Sequence, residues 1–189
     1  MTLGDTIQWH AEIGDPSFMG WVTVVAYFCT AIMSSKLYLS SSRVFSEHIV
    51  QQRQFWLFMA LMLFALGINK QLDLQSLLTE IGKYYAHRDG WYEYRRVIQI
   101  SMIMGILLSM SVITVWFLFY VRTILKTNWL AVIGLSFLLV FVMLRATSFH
   151  HMDILINTTI LGVRMNWVLE LVGIVCIGYS ALSVIRKSI

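Results

Sequence analysis

The side chains best suited to chemistry in this chain cluster in the segment RATSFHHMD, residues 145–153, directly after the apolar run WLAVIGLSFLLVFVML. Histidine and carboxylate groups are ligands for zinc, iron or copper, and a nearby methionine adds to the case for copper. Ligands of this type recur on one side of the predicted membrane topology and form a candidate metal site: His10, His87, His150, His151 and Asp153.

The spacing of these residues does not define a metal site by itself. Adjacent histidines on a regular helix point about 100° apart, so His150 and His151 share one metal only if the helix ends there. No pattern such as HExxH or CxxC occurs among them. Two interpretations therefore remain open, a bound metal and a polar border that closes one end of a helix bundle.

A second candidate site is an ion pair inside the membrane between Arg145 and Glu170. Arg145 lies four residues before Phe149 and Glu170 five residues after Met165, at the facing ends of two neighbouring apolar segments. Either charge alone is costly in a bilayer, so the two are predicted to pair. The pair would act either as a lock between helices or as a charged element of a substrate, quinone or proton path.

A third polar cluster, Asn69, Lys70 and Asp73, follows the second apolar segment. Asn69 and Asp73 are four residues apart and share a face if the helix continues. Lys70 either extends its ammonium group to the membrane surface or belongs to the cluster of Arg145 and Glu170.

The elements that must position these residues are transmembrane helices. Of 189 residues, 58% are hydrophobic and only 13% are charged, and the mean hydropathy is +0.72. Soluble domains contain about a quarter charged residues, and about 20 consecutive apolar residues cross a bilayer. The sequence predicts an all-α polytopic bundle, a single integral membrane domain over residues 1–189.

Five spans are predicted, at about residues 18–35, 55–70, 97–121, 129–149 and 165–185. The second has a strictly apolar part of only 14 residues, FWLFMALMLFALGI, and must borrow a turn from NKQ or QQRQ. Between the second and third spans, an apolar stripe at helical spacing predicts an amphipathic helix on the outer face: Leu72, Leu74, Leu77, Leu78 and Ile81.

Lysines and arginines indicate the orientation, because they accumulate on the cytoplasmic side. They occur after the first span, after the third span and at the C-terminus, whereas the N-terminal tail has none. This pattern predicts an outer N-terminus and a cytoplasmic C-terminus. Counting every loop, however, the two sides hold seven basic residues each.

Several functional classes receive no support from the sequence. No basic cluster with interleaved aromatic residues occurs, so the net charge of +4 indicates contact with anionic lipid rather than with nucleic acid. Cys29 and Cys176 both fall in apolar runs and are predicted to be buried free thiols. The first residues carry acids and no lysine or arginine, which is untypical of a cleaved signal peptide.

Three stretches, GDPSFMGWVTVVAY, ALGINKQLDLQSLLTEIGKYYAHRDGWYEYRR and RATSFHHMD, resemble a group of small bacterial inner-membrane proteins of uncharacterised function. The resemblance covers most of the chain and implies a bacterial inner membrane, but no activity. Members of that group are sometimes labelled isopropylmalate isomerase. That enzyme type is soluble and holds an iron–sulfur cluster on three cysteines, whereas this chain has two cysteines in all.

Three functions are consistent with the sequence. The first is a non-catalytic accessory or assembly subunit of a larger membrane complex, in contact with lipid and with other membrane protein subunits. The second is a membrane enzyme or electron-transfer protein whose metal lies on the outer face. The third is a transporter or channel component, which five spans without an inverted repeat favour least.

Overall fold

The computed structural model describes residues 15–72, 81, 84, 85, 88, 95–147, 159–160 and 163–187. The helices in these ranges are α1 (Phe18–Leu39), α2 (Ser41–Val44), α3 (Ile49–Leu72), α4 (Arg95–Tyr120), α5 (Trp129–Thr147) and α6 (Met165–Lys187). A short 3-10 helix, Arg122–Ile124, joins α4 to α5.

Three helices are long and apolar enough to cross a membrane, namely Phe18–Leu39, Ile49–Leu72 and Trp167–Lys187. The first two contain the first and second predicted spans, and Trp167–Lys187 covers all but the first two residues of the fifth. Two shorter apolar helical stretches, Leu107–Tyr120 and Trp129–Val142, lie in α4 and α5, where the third and fourth spans are predicted. By length and composition, these three helices of the described residues are compatible with a membrane protein.

Helix α3 resolves the shortness of the second predicted span. It runs from Ile49 to Leu72, so it includes residues of both polar flanks, QQRQ and NKQ. Its 24 residues extend about 36 Å at about 1.5 Å per residue, more than the roughly 30 Å of a hydrocarbon core. Polar residues at both ends of such a helix can reach the headgroup zone while the apolar part stays in lipid.

Helix α1 begins at a side-chain cap. The Ser17 hydroxyl accepts a hydrogen bond from the Gly20 amide at 3.0 Å, which satisfies one of the free N–H groups of the first turn. Lys36 lies in the last turn, where a positive charge is favourable beside the free carbonyls. The predicted span ended at residue 35, and the helix continues by one turn to Leu39.

Helices α1, α3, α5 and α6 form the bundle. Helix α1 packs against both α3 and α6, and α5 packs against α6. The side chains at their contacts are buried and mostly aromatic or aliphatic, and they form one core: Tyr27, Leu37, Phe55, Trp56, Met59, Leu63, Leu135, Leu138, Ile174 and Ile177.

Because the chain alternates in direction, the two ends of the bundle differ. One end, here called the ion-pair end, holds the start of α1, the end of α3 and the start of α6. The opposite end, here called the basic end, holds the end of α1, α2, the start of α3, the turn before α5 and the end of α6.

Helix α4 lies at the periphery and contacts the core near its C-terminal end. The Phe117 ring packs on Phe58 of α3 with 4.6 Å between centroids, and Thr114 is buried on the same side. The remainder of its length carries exposed large apolar side chains, including Leu108, Val112 and Trp116.

The all-α prediction is confirmed for the described residues, which are almost entirely helical. The exception is a small antiparallel pair before α6, Thr159–Ile160 and Val163–Arg164, with Thr159 opposite Arg164. Two residues are too short for an alternating pattern, which explains why the sequence did not indicate them. Of the predicted amphipathic helix, Leu72 ends α3 and Ile81 is helical, while Leu74, Leu77 and Leu78 lie outside the described residues.

Candidate functional site

A buried ion pair forms the centre of the ion-pair end. The Lys70 ammonium group at the end of α3 donates a hydrogen bond to the Glu170 carboxylate of α6 at 2.8 Å. The two side chains are 3% and 1% exposed, so each charge depends on its partner rather than on water. The pair joins two helices whose residues are 100 positions apart in the chain.

Asp15 provides a second carboxylate at the same site. Its Oδ2 atom lies 3.7 Å from the Lys70 ammonium, and its side chain is 24% exposed. Ser17 donates to Asp15 Oδ1 through its hydroxyl at 2.6 Å and through its amide at 3.2 Å. The lysine is therefore shared between a fully buried carboxylate and a partly exposed one.

The pKa of Asp15 lies below its ordinary value of 3.8. Burial alone would raise this pKa, but the two hydrogen bonds from Ser17, the charge of Lys70 and a hydrogen bond from the Trp167 side chain outweigh it. Asp15 precedes α1 and so lies outside the span. Its carboxylate connects the N-terminal end of α1 to α3 through Lys70 and to α6 through Trp167.

The surroundings of Lys70 are mixed in character. The Phe141 ring of α5 lies 6.0 Å from its ammonium group, at the outer limit of a cation–π contact. Next along α3, both amide atoms of Gln71 are buried and have no hydrogen-bond partner within the described part of the chain. The site thus receives residues from α1, α3, α5 and α6, and it joins four helices at one end.

Comparisons with models of protein families, with curated proteins and with solved structures found no match for this chain. The chemistry of the site therefore follows from its own side chains. A buried ammonium group between two carboxylates can fix helices in register, and it can also exchange a proton or hold a charged group. Among the described residues, no group of three or more histidine, cysteine, aspartate or glutamate side chains could hold a metal.

The structure brings together some of the residues that the sequence singled out. Lys70 and Glu170 meet, whereas Asn69 lies beside them on α3 at intermediate exposure. The backbone of Arg145 is helical, but its side chain lies outside the description, so the pair of Arg145 with Glu170 stays a prediction. The remaining candidates lie outside the described residues: Asp73, His10, His87, His150, His151 and Asp153.

Sequence reasoning did not recognise the role of Asp15. The positions of the two acids could have indicated their proximity, because Asp15 lies three residues before α1 and Glu170 five residues after the start of α6. Helices that start at the same end of a bundle bring such residues to a similar depth.

A second polar contact, at the basic end, was also missed. The Asn128 amide nitrogen donates to Gln52 Oε1 at 3.0 Å and to the Ile124 carbonyl at 3.0 Å. Asn128 is fully buried and Gln52 is 4% exposed. The contact ties the turn before α5 to the start of α3, across 76 positions of the chain.

Proposed function

We propose that this chain is a non-catalytic accessory or assembly subunit of a larger membrane complex. The single observation that carries the proposal is the face of α4 that no other described residue covers. Among the described side chains of α4, those that pack on the bundle lie near its C-terminal end. A helix with such an exposed face can offer it to another membrane protein.

Small residues lie along the uncovered face of α4. Ser101, Gly105 and Ser109 recur every four residues, so they share one side of the helix, and all three are exposed. A Cβ atom added to Gly105 would have no heavy atom within 4 Å. Small residues at this spacing allow transmembrane helices to approach closely, and they are enriched where such helices associate.

The packed face of α4 is the opposite one. At 3.6 residues per turn, Thr114 falls about half a turn, and Phe117 roughly a third of a turn, around the helix from the line through Gly105 and Ser109. Thr114 is 5% exposed, and the Phe117 ring packs on Phe58. The small residues therefore point away from the bundle, which supports an intermolecular contact.

The ion-pair site supports the non-catalytic part of the proposal. Lys70 and Glu170 satisfy one another at 2.8 Å in a nearly water-free position. Such a pair holds helices together without an additional partner. A rigid bundle in which one helix has an uncovered face is the arrangement expected of a subunit that binds other subunits.

Native purification of the full chain tests the proposal. We expect other membrane proteins to co-purify with the wild-type chain, and Gly105→Leu to abolish their recovery, because a large side chain blocks close helix approach. Met104→Leu is the matched control, since it adds no bulk at the neighbouring exposed position and should leave recovery unchanged.

The opposite results would contradict the proposal. A wild-type chain that runs alone as a stable monomer excludes a subunit role. Equal recovery with Gly105→Leu would mean that the face of α4 contacts only lipid. Mass spectrometry of the recovered material identifies the partners of the wild-type chain and measures their recovery with Gly105→Leu.

The proposed setting is a bacterial inner membrane, with α4 and α5 completing five spans. The exposed lysines and arginines of the basic end support an orientation in which that end and the C-terminus face the cytoplasm. The N-terminus and the ion-pair end then face outward.

A second candidate function is a component of a proton or substrate path. It is favoured by one observation, that buried Glu170 connects through Lys70 to the partly exposed Asp15. Ionisable residues inside membranes often serve such paths. A Glu170→Gln variant that assembles normally but loses the activity of the complex would favour this function over a structural lock.

A further inference from the structure

The basic end carries seven exposed lysine and arginine side chains. They come from α1, α2, α3, the turn before α5 and the end of α6: Lys36, Arg43, Arg53, Arg122, Lys126, Arg186 and Lys187. Among the described residues at this end, Glu47 is the one carboxylate, and none of the seven cations forms an ion pair. The surface is strongly positive because its charges are not neutralised locally.

The part of this surface formed by α2 and the start of α3 is anchored to the bundle. Helix α2 presents Arg43 to solvent while Ser41 is buried beneath it. Val44 and Phe45 pack against the hydrophobic core. Arg53, at the start of α3, lies 4.9 Å over the Tyr38 ring, which further restricts its direction.

The second part is held equally firmly. Val121 and Ile124 are 0% and 1% exposed, and between them Arg122 points outward. The buried hydrogen bond from Asn128 to Gln52 fixes this turn to α3. Lys126 is therefore carried on a turn that is anchored on both sides.

We propose that the basic end binds the headgroups of anionic phospholipids. The occupant follows from charge complementarity and position: phosphate oxygens accept hydrogen bonds from lysine and arginine, and this surface lies where the spans leave the hydrocarbon. Trp129, at the start of α5, is 59% exposed at the same end, and tryptophan side chains favour the headgroup zone. Because the segments that carry these cations are anchored to the bundle, little backbone freedom is lost on binding.

This inference is independent of the proposed subunit role. The α4 face concerns a protein partner in the membrane plane, whereas the basic end concerns lipid at one membrane surface. Either can fail without the other.

Titration of the purified full chain in neutral detergent tests the inference. Dioleoyl phosphatidylglycerol and dioleoyl phosphatidylcholine are added separately in mixed micelles, and binding is followed by microscale thermophoresis. We expect the phosphatidylglycerol lipid to bind at least about fivefold more tightly, the factor associated with one basic residue at an anionic surface. High salt should reduce the difference.

Variants locate the site. Arg122→Gln with Lys126→Gln should weaken phosphatidylglycerol binding by about fivefold or more. Arg88→Gln removes a charge from the segment between α3 and α4, and it should leave binding unchanged. If the double variant does not fold, Lys126→Gln alone and the comparison of the two lipids on the wild-type chain decide the question.

Three results would overturn the inference. Equal affinity for the two lipids would exclude charge recognition and would point to a protein or nucleic-acid partner for the basic end. A loss with Arg88→Gln equal to that with the double variant would show a non-local effect of net charge. Displacement of the lipid by an equal concentration of inorganic phosphate would identify a free anion as the ligand.

Discussion

Lys70 and Glu170 illustrate how a buried charge depends on its partner. Removing both ions from water is costly, and their attraction repays the cost only when the geometry is good. A hydrogen bond of 2.8 Å between side chains that are almost fully buried meets that requirement. The main effect of the pair is therefore to determine that α3 and α6 meet at this position, and its net contribution to the free energy of unfolding is small.

A double-mutant cycle on this pair should show strong coupling. Lys70→Met alone should lower the free energy of unfolding by about 3–5 kcal/mol, because it leaves the buried Glu170 carboxylate uncompensated. Glu170→Leu alone should cost less, because Asp15 still lies 3.7 Å from the Lys70 ammonium. The double variant should lose much less than the sum of the two. Unfolding by denaturing detergent from mild micelles measures all three, with exposed Glu47→Gln as a control near wild type. Additive losses would contradict the pairing.

Asp15 makes stability depend on pH in a defined direction. Its folded pKa lies below 3.8, its ordinary value, so the folded state favours the carboxylate. This contribution is fully present above pH 3.8 and is lost as the pH falls through the lower folded pKa. The stability difference between wild type and Asp15→Asn should be constant from neutral pH to about pH 5 and should shrink in stronger acid. A difference that grows on acidification would contradict this account.

Helices α5 and α6 meet at two glycines. A Cβ atom added to Gly134 would lie 2.6 Å from the Gly173 carbonyl oxygen and 2.8 Å from Ile177 Cγ1. A Cβ atom on Gly173 would lie 2.8 Å from Leu138 Cγ. The backbones therefore approach too closely for any larger residue, which is the usual way that membrane helices gain van der Waals contact.

Gly134→Ala should separate these helices and destabilise the bundle by about 1–3 kcal/mol, the usual cost of overpacking. Gly105→Ala on α4 is the matched control, since nothing lies within 4 Å of the added methyl group. The control should unfold at the same or a higher denaturant concentration, because alanine is the better helix former. Equal stability of both variants would mean that the close contact does not constrain the bundle.

At the scale of elements, helix positions could be predicted from apolar runs, and helix ends only in part. The predicted second span was shorter than α3 because glutamine, arginine and lysine at its ends count against a hydropathy window while they still continue the helix. Ser17 is a recognisable cap before α1. The strand pair at Thr159 and Arg164 follows from local hydrogen bonding that has no periodic signal.

At the scale of the whole molecule, tertiary partners were harder to predict than elements. The sequence suggested a partner for Glu170 on the adjacent span, Arg145, since neighbouring spans are the simplest to pair. The structure shows Lys70 from a distant helix at that carboxylate, with Asp15 beside it. The contact between Gln52 and Asn128 could not be predicted either, because local periodicity carries no information about contacts between residues 76 positions apart.

The distance along the chain between Lys70 and Glu170 also has a consequence for biogenesis. A ribosome that adds about 5–20 residues per second needs on the order of ten seconds to make the 100 residues that separate them. During that time α3 must enter the membrane with its lysine unmatched by Glu170, held at the lipid surface or by Asp15. Arrival of α6 then supplies the carboxylate, so the buried pair can form only after the 100 residues that separate its members have been made.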